Sequence, residues 1–185
     1  MIHDFAERLE FSLGENRRQD ERIIREIIPH CTKVEKTSSM EDKGGVDYVA
    51  YLLDGGRVNV DVKTRDKGAS RYWKSGEPEL ALEIWSVCPE RGQEGKRGWT
   101  LSSSTQVDYI LYKFHEQDSR KVYMLPYQQL RMSFIRNGRE WIKRYGRKRQ
   151  YSGKWQSEAV FVPVSQVLKG ILNEMEYSSE RIAKT

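Results

Sequence analysis

Between Gly44 and Arg65 the chain reads GGVDYVAYLLDGGRVNVDVKTR, two runs of β-forming residues joined by Asp54-Gly55-Gly56, and no other stretch constrains the fold as tightly. The first run, Val46 to Leu53, is rich in Val, Tyr and Leu. The second, Arg57 to Thr64, alternates strictly, and Asp-Gly between two such runs is a strong hairpin signal. Side chains alternate across a strand, so Val58, Val60 and Val62 share one face while Asn59, Asp61 and Lys63 share the other. Asp61 and Lys63 are therefore predicted neighbours, with Asp47 on the partner arm. A group of this kind can hold a hard divalent cation and position an activated water, because Mg²⁺ takes oxygen ligands and is usually held by one or two carboxylates plus substrate phosphate. Asp47 and Asp61 are the candidate ligands. Lys63 is the candidate for holding the attacking water or offsetting charge on phosphoryl oxygens. A polar strand face in water shows the same alternation, and spacing alone leaves both readings open.

Upstream, NRRQDERIIREIIP predicts a helix that Pro29 stops, after a first helix over about Asp4 to Leu13. Ile23, Ile24, Ile27 and Ile28 form its apolar face; Asp20 falls near the centre of that face and Glu21 at its margin. An acid there needs a partner, unless it is only a first-turn acid favoured by the helix dipole. Downstream, ELALEIWSV over Glu79 to Val87 alternates as a third strand, with Glu83 on the face of Ala81, Trp85 and Val87. A carboxylate inside a mostly apolar strand is costly unless it is paired or binds a metal; the alternative is an exposed edge-strand acid.

At these residues the chain resembles the PD-(D/E)XK nuclease superfamily, whose hallmark is an acid on one strand and acid-X-Lys on the next, here Asp47 and Asp61-Val62-Lys63. The resemblance covers roughly the first two thirds of the chain, and Val46 stands where the motif's proline would be. It implies an α/β (α+β) fold with a central mixed β-sheet flanked by helices, restriction-endonuclease-like. The implied activity is that of a Mg²⁺-dependent (or Mn²⁺-dependent) deoxyribonuclease, an endonuclease acting on DNA. Asp47, Asp61 and Glu83 would then serve the metal, Lys63 would stand beside the water, and Asp20 would be the first-helix acid of the catalytic group. Relatives of this kind often act as homodimers.

Length and composition agree with one ordered domain over all 185 residues, 37% hydrophobic and 32% charged, with a basic C-terminal extension from about residue 126 onward. No apolar run approaches the roughly 18 residues of a spanning helix. The opening MIHDFAERLEF lacks the order of a signal peptide, so a cytoplasmic protein with no membrane segment is expected. Cys31 and Cys88 are far apart and flanked by no second Cys or paired His, which excludes a zinc pattern and predicts two buried thiols. Nucleotide cradles of the Gly-X-X-X-X-Gly-Lys or Gly-X-Gly-X-X-Gly type are absent, as is a Gly-X-Ser-X-Gly elbow.

Lys and Arg number 32 against 27 Asp and Glu, and their clustering says more than the total. One cluster follows the hairpin: Arg65, Lys67, Arg71 and Lys74 interleave with Tyr72 and Trp73. A denser one holds Arg144, Arg147, Lys148 and Arg149 among Trp141, Tyr145, Tyr151 and Trp155. Basic residues can meet phosphates and aromatics can stack on bases, which makes DNA the expected partner. Solvated faces and loops look the same in sequence. Ser102 to Thr105 are further candidates for phosphate, and Asp108 for a cap. Lys121 to Leu125 predicts a strand, PYQQLRMSFIRNGREWIKRY a helix with a break at Asn137-Gly138, Glu158 to Val164 a strand and Ser165 to Glu176 a closing helix. A protein that keeps such a fold and binds nucleic acid without cutting it is the alternative to a nuclease.

Overall fold

The structure, a computed structural model, describes residues 17–37, 45–65, 73, 76–90, 94–115, 120–151 and 155–182. The helix expected over Asp4 to Leu13 lies outside them. The first described helix, α1, spans 17–27 and turns Asp20, Ile24 and Ile28 inward at four-residue spacing. His30, at φ 58°, reverses the chain, and its carbonyl accepts from the Leu53 N–H. Then come β1 (Cys31–Lys36), β2 (Tyr48–Leu52) and β3 (Arg57–Arg65), an antiparallel meander in which Tyr48 faces Val60 and Ala50 faces Val58. The Asp-Gly-Gly turn between β2 and β3 forms as the sequence predicts. Gly55 takes φ 85°, a conformation glycine tolerates without strain, and the Gly56 N–H donates to Asp54 Oδ1 at 2.9 Å.

The meander does not continue into the third predicted strand. That strand, β4 (Glu79–Val87), leaves for a second sheet, and the neighbour of β3 is instead β6 (Tyr109–His115), parallel to it with Asp61 beside Ile110 and Lys63 beside Tyr112. The crossover between β3 and β6 holds β4, the short β5 (Lys96–Arg97) and a 3-10 turn at Trp99–Leu101. With β7 (Arg120–Pro126) the first sheet runs β1-β2-β3-β6-β7, mixed, and the second runs β5-β4-β9-β8, antiparallel, with β8 at Arg147–Tyr151 and β9 at Gln156–Pro163. Local alternation predicts each strand but carries no information on which distant strand it will pair with.

Two further helices follow among the described residues: α2 (Tyr127–Tyr145) and α3 (Val164–Ile182). Tyr127, Leu130, Phe134, Gly138 and Trp141 form the buried stripe of α2, and Val164, Val167 and Ile171 that of α3. Asn137-Gly138 does not break α2, because Gly138 faces inward beside the Phe134 ring and Asn137 Nδ2 donates back to the Ser133 carbonyl. The first sheet separates two apolar clusters. On one face Val60, Leu111, Tyr48 and Ala50 pack with Ile24 of α1 and Ile28 just beyond it; on the other Ile110, Tyr112, Phe114 and Leu125 pack with β4, β9, α2 and α3. Cys31 and Cys88 are half-exposed rather than buried. No helix among the described residues is long and apolar enough to cross a membrane.

Candidate active site

Asp47 ends the loop that leads into β2, where its N–H donates to the Val60 carbonyl at 3.0 Å and its own carbonyl accepts from Thr37 N–H at 2.9 Å. That pairing and the alternation of β3 turn Asp47, Asp61 and Lys63 to the same side of the sheet, the side of Ile110 and Tyr112. Asp47 Oδ2 accepts the Val62 N–H at 2.7 Å, at the peptide that follows Asp61. Lys63 Nζ closes on Asp61 Oδ1 at 2.7 Å. The Asp61 side chain is 7% exposed and that of Lys63 33%, so the carboxylate is sunk while the ammonium can be reached from outside.

Burial is the main reason that the Asp61 carboxyl rises from its ordinary 3.8 to about 6; Lys63 opposes the rise and Asp47 adds to it. The site thus sets two carboxylates side by side with one lysine ammonium beside them. Such a donor set fits a hard cation, which would relieve the repulsion and take its remaining oxygens from water and a phosphate. Among the described residues no cluster of three or more His, Cys, Asp or Glu has metal-holding geometry.

Two cavities meet at Lys63. The smaller, about 190 Å³, is lined by Asp61, Lys63, Trp99, Ser104, Thr105 and Tyr127 among others. The larger, about 600 Å³, opens toward β8 and is lined by Lys63, Arg65, Glu83, Trp99, Lys148 and Phe161 among others. Gly98 positions the shared wall: a Cβ there would fall 2.3 Å from the Glu83 carbonyl oxygen, so only glycine lets the 3-10 turn lie against β4. Tyr127 Oη then lies 2.7 Å from both the Trp99 and Ser102 carbonyls, holding the turn over Asp61. Burial, with the Asp61 charge contributing, pushes that phenol up to about 12.

Glu83 is not joined to the aspartates. It sits on β4 in the second sheet, where its Oε2 accepts from Ser86 Oγ at 2.8 Å and from the Trp99 N–H at 3.2 Å. It shares the larger cavity with Lys63, so strand alternation placed it facing the site, but as a wall residue. Asp20 lies on the opposite side of the first sheet from Asp61. There it forms a buried ion pair with Lys113 of β6, with Tyr48 Oη 3.5 Å from its other oxygen. The expected partner for an acid at the centre of the α1 face is thus a buried lysine rather than the hairpin. Glu21, at the margin, pairs with Arg17.

The basic residues divide. Arg65 lines the larger cavity with its Nε on Tyr112 Oη at 2.9 Å. Arg147 and Arg149 both bind the buried Glu158, at 3.0 and 3.1 Å, while Lys148 and Gln150 alternate to the cavity side of β8. A run read as charge alone is therefore an edge strand with one structural face. Arg144 lies over the Tyr145 ring at the end of α2. Lys67, Arg71 and Lys74 lie outside the described residues; Trp73 packs edge-on against Phe114. Sequence reasoning did not single out Trp99, Tyr127, Lys96 or Arg97, all of which line the smaller cavity. The signal available was Lys96-Arg97-Gly98-Trp99, a basic pair beside an aromatic, the pattern that marked the other two basic segments. Ser104 and Thr105 do reach the cavity, whereas Asp108 Oδ2 accepts the Asn59 N–H and pins β3 to the start of β6. The chain matches no family model, no curated protein and no solved structure.

Proposed function

We propose that this protein is a metal-dependent nuclease that hydrolyses phosphodiester bonds in DNA, with a mixed sheet of restriction-endonuclease-like type as its catalytic layer. The observation that carries the reading is that Asp47, whose Oδ2 accepts the Val62 N–H at 2.7 Å, and Asp61 turn to one side of the sheet, with the Lys63 ammonium 2.7 Å from Asp61 Oδ1. Asp47 and Asp61 would hold Mg²⁺ or Mn²⁺, and the bound ion supplies Lewis-acid polarisation of a phosphoryl oxygen and a more acidic water. Lys63, reachable from the larger cavity, orients that water or offsets charge on the phosphoryl oxygens. The cations along the two cavities attract the DNA backbone. Incubation of supercoiled, linear and branched DNA with and without Mg²⁺ or Mn²⁺ tests it, with cleavage expected only with metal.

A second reading, nucleic-acid binding without cleavage, draws on the Lys63 contact itself. Lys63 Nζ takes one of the Asp61 oxygens that a cation would use. Metal-independent binding with a steep salt slope and no nicking under any metal would favour it.

A further inference from the structure

The larger cavity is of the size that encloses a small molecule, about 600 Å³ against roughly 300–1,000 Å³ for ligand pockets generally. Its width is set by Tyr112 Oη, which accepts from Arg65 Nε at 2.9 Å and from the Ala81 N–H at 3.0 Å, tying β6 of one sheet to β4 of the other. Behind Lys63, which lines both cavities, Asp61 is 5% exposed. A phosphate on the outside of an intact duplex cannot reach a carboxylate so deeply set between two tied sheets. An unpaired strand can, because its nucleotides turn about single bonds and enter one at a time.

The lining suits such a strand. Lys63 is engaged by Asp61, Arg149 by Glu158, and Glu83 by the Ser86 hydroxyl and the Trp99 N–H. Arg65 and Lys148 have no carboxylate partner among the described residues. Both lie over the Phe161 ring, at 5.1 and 4.6 Å from its centroid. Cations grouped on an aromatic ring in the lining of a chamber are what single-strand sites use to hold backbone and base together.

We infer that the larger cavity receives one unpaired nucleotide of a DNA strand, its phosphate between Arg65 and Lys148 and its base against Phe161 or Trp99, so that the substrate is single-stranded or locally unpaired DNA rather than intact duplex. The inference rests on reading the site as a nuclease and adds the strandedness of its substrate. The test is fluorescence anisotropy of the whole chain with a labelled short oligothymidylate and with a hairpin duplex of similar length, in EDTA, followed by cleavage of both with Mg²⁺ or Mn²⁺. The oligothymidylate binds about tenfold tighter than the duplex, and Lys148→Ala and Phe161→Leu each weaken it several-fold, Lys148→Ala with an unchanged melting temperature. Equal or tighter binding of duplex, or wild-type affinity in both variants, overturns the inference. Duplex cleaved as fast as the single strand overturns it too, while leaving the nuclease reading intact. Single-strand selectivity with no cleavage of either DNA supports the chamber and overturns the nuclease reading alone.

Discussion

Asp47 Oδ2 accepts the Val62 N–H at 2.7 Å, so the acid that leads into β2 holds the peptide between the acid and the lysine of β3. That bond sets the direction in which Asp61 and Lys63 leave β3. An amide oxygen can replace the carboxylate as acceptor but carries no charge. Asp47→Asn is therefore expected to keep the melting temperature within a few degrees and to lower cleavage about 100-fold or more, the usual loss when one preorganised charge-stabilising group is removed. Asp47→Ala, which leaves the Val62 N–H without that acceptor, should also melt lower. Equal melting of the two variants contradicts the positioning role.

Asp61 makes stability depend on pH in a defined sense. Its folded value of about 6 lies above the ordinary 3.8, so the folded state holds the proton more tightly than the unfolded chain. The stabilisation from that proton is complete below about pH 4, falls as pH rises, and is gone above about pH 6. Asp61→Asn removes the dependence. Urea unfolding of wild type and variant across this range should show the variant gaining relative stability as pH rises through the window. A constant difference would place Asp61 in an ordinary solvated setting.

Asp20 and Lys113 form a buried pair on the far side of the sheet. Removing one partner leaves an uncompensated buried charge, which costs about 3–5 kcal/mol. Asp20→Ala should thus unfold at markedly lower denaturant, while the folded fraction cleaves DNA at the wild-type rate. A specific rate loss with unchanged stability would bring Asp20 back to the catalytic group.

Glu83 stands on a different sheet from the aspartates, with its carboxylate held by Ser86 and the Trp99 N–H. Thermal melts of wild type and Glu83→Gln with and without Mg²⁺ should show the same metal-induced shift in both. A smaller shift in the variant would mean that Glu83 shares the cation.

The hairpin was legible because everything that shapes it is local. Asp54-Gly55 specifies the turn, strict alternation specifies the faces, and together they bring Asp47, Asp61 and Lys63 to one side. The inward acid of α1 was legible too, since Asp20 falls in line with Ile24 and Ile28. What it would meet was not, because helix periodicity says which face turns inward and nothing of which side of a sheet receives it. Pairing across long intervals was equally hidden: nothing in ELALEIWSV tells that it joins Gln156–Pro163 instead of Arg57–Arg65. The Arg147–Tyr151 strand was concealed by its composition, for an exposed edge strand and a solvated charge run are written with the same residues.

The central claim is that Asp47, Asp61 and Lys63 form a hydrolytic metal site. The most direct measurement compares single-stranded and supercoiled DNA cleavage by wild type, Asp61→Asn and Lys63→Ala in Mg²⁺ or Mn²⁺ and in EDTA, alongside metal-free DNA affinity. Wild type should cut only with metal, and both variants should lose about 100-fold or more in rate while binding DNA within a few fold of wild type. Cleavage by wild type in EDTA, or a wild-type rate in Asp61→Asn, would contradict it.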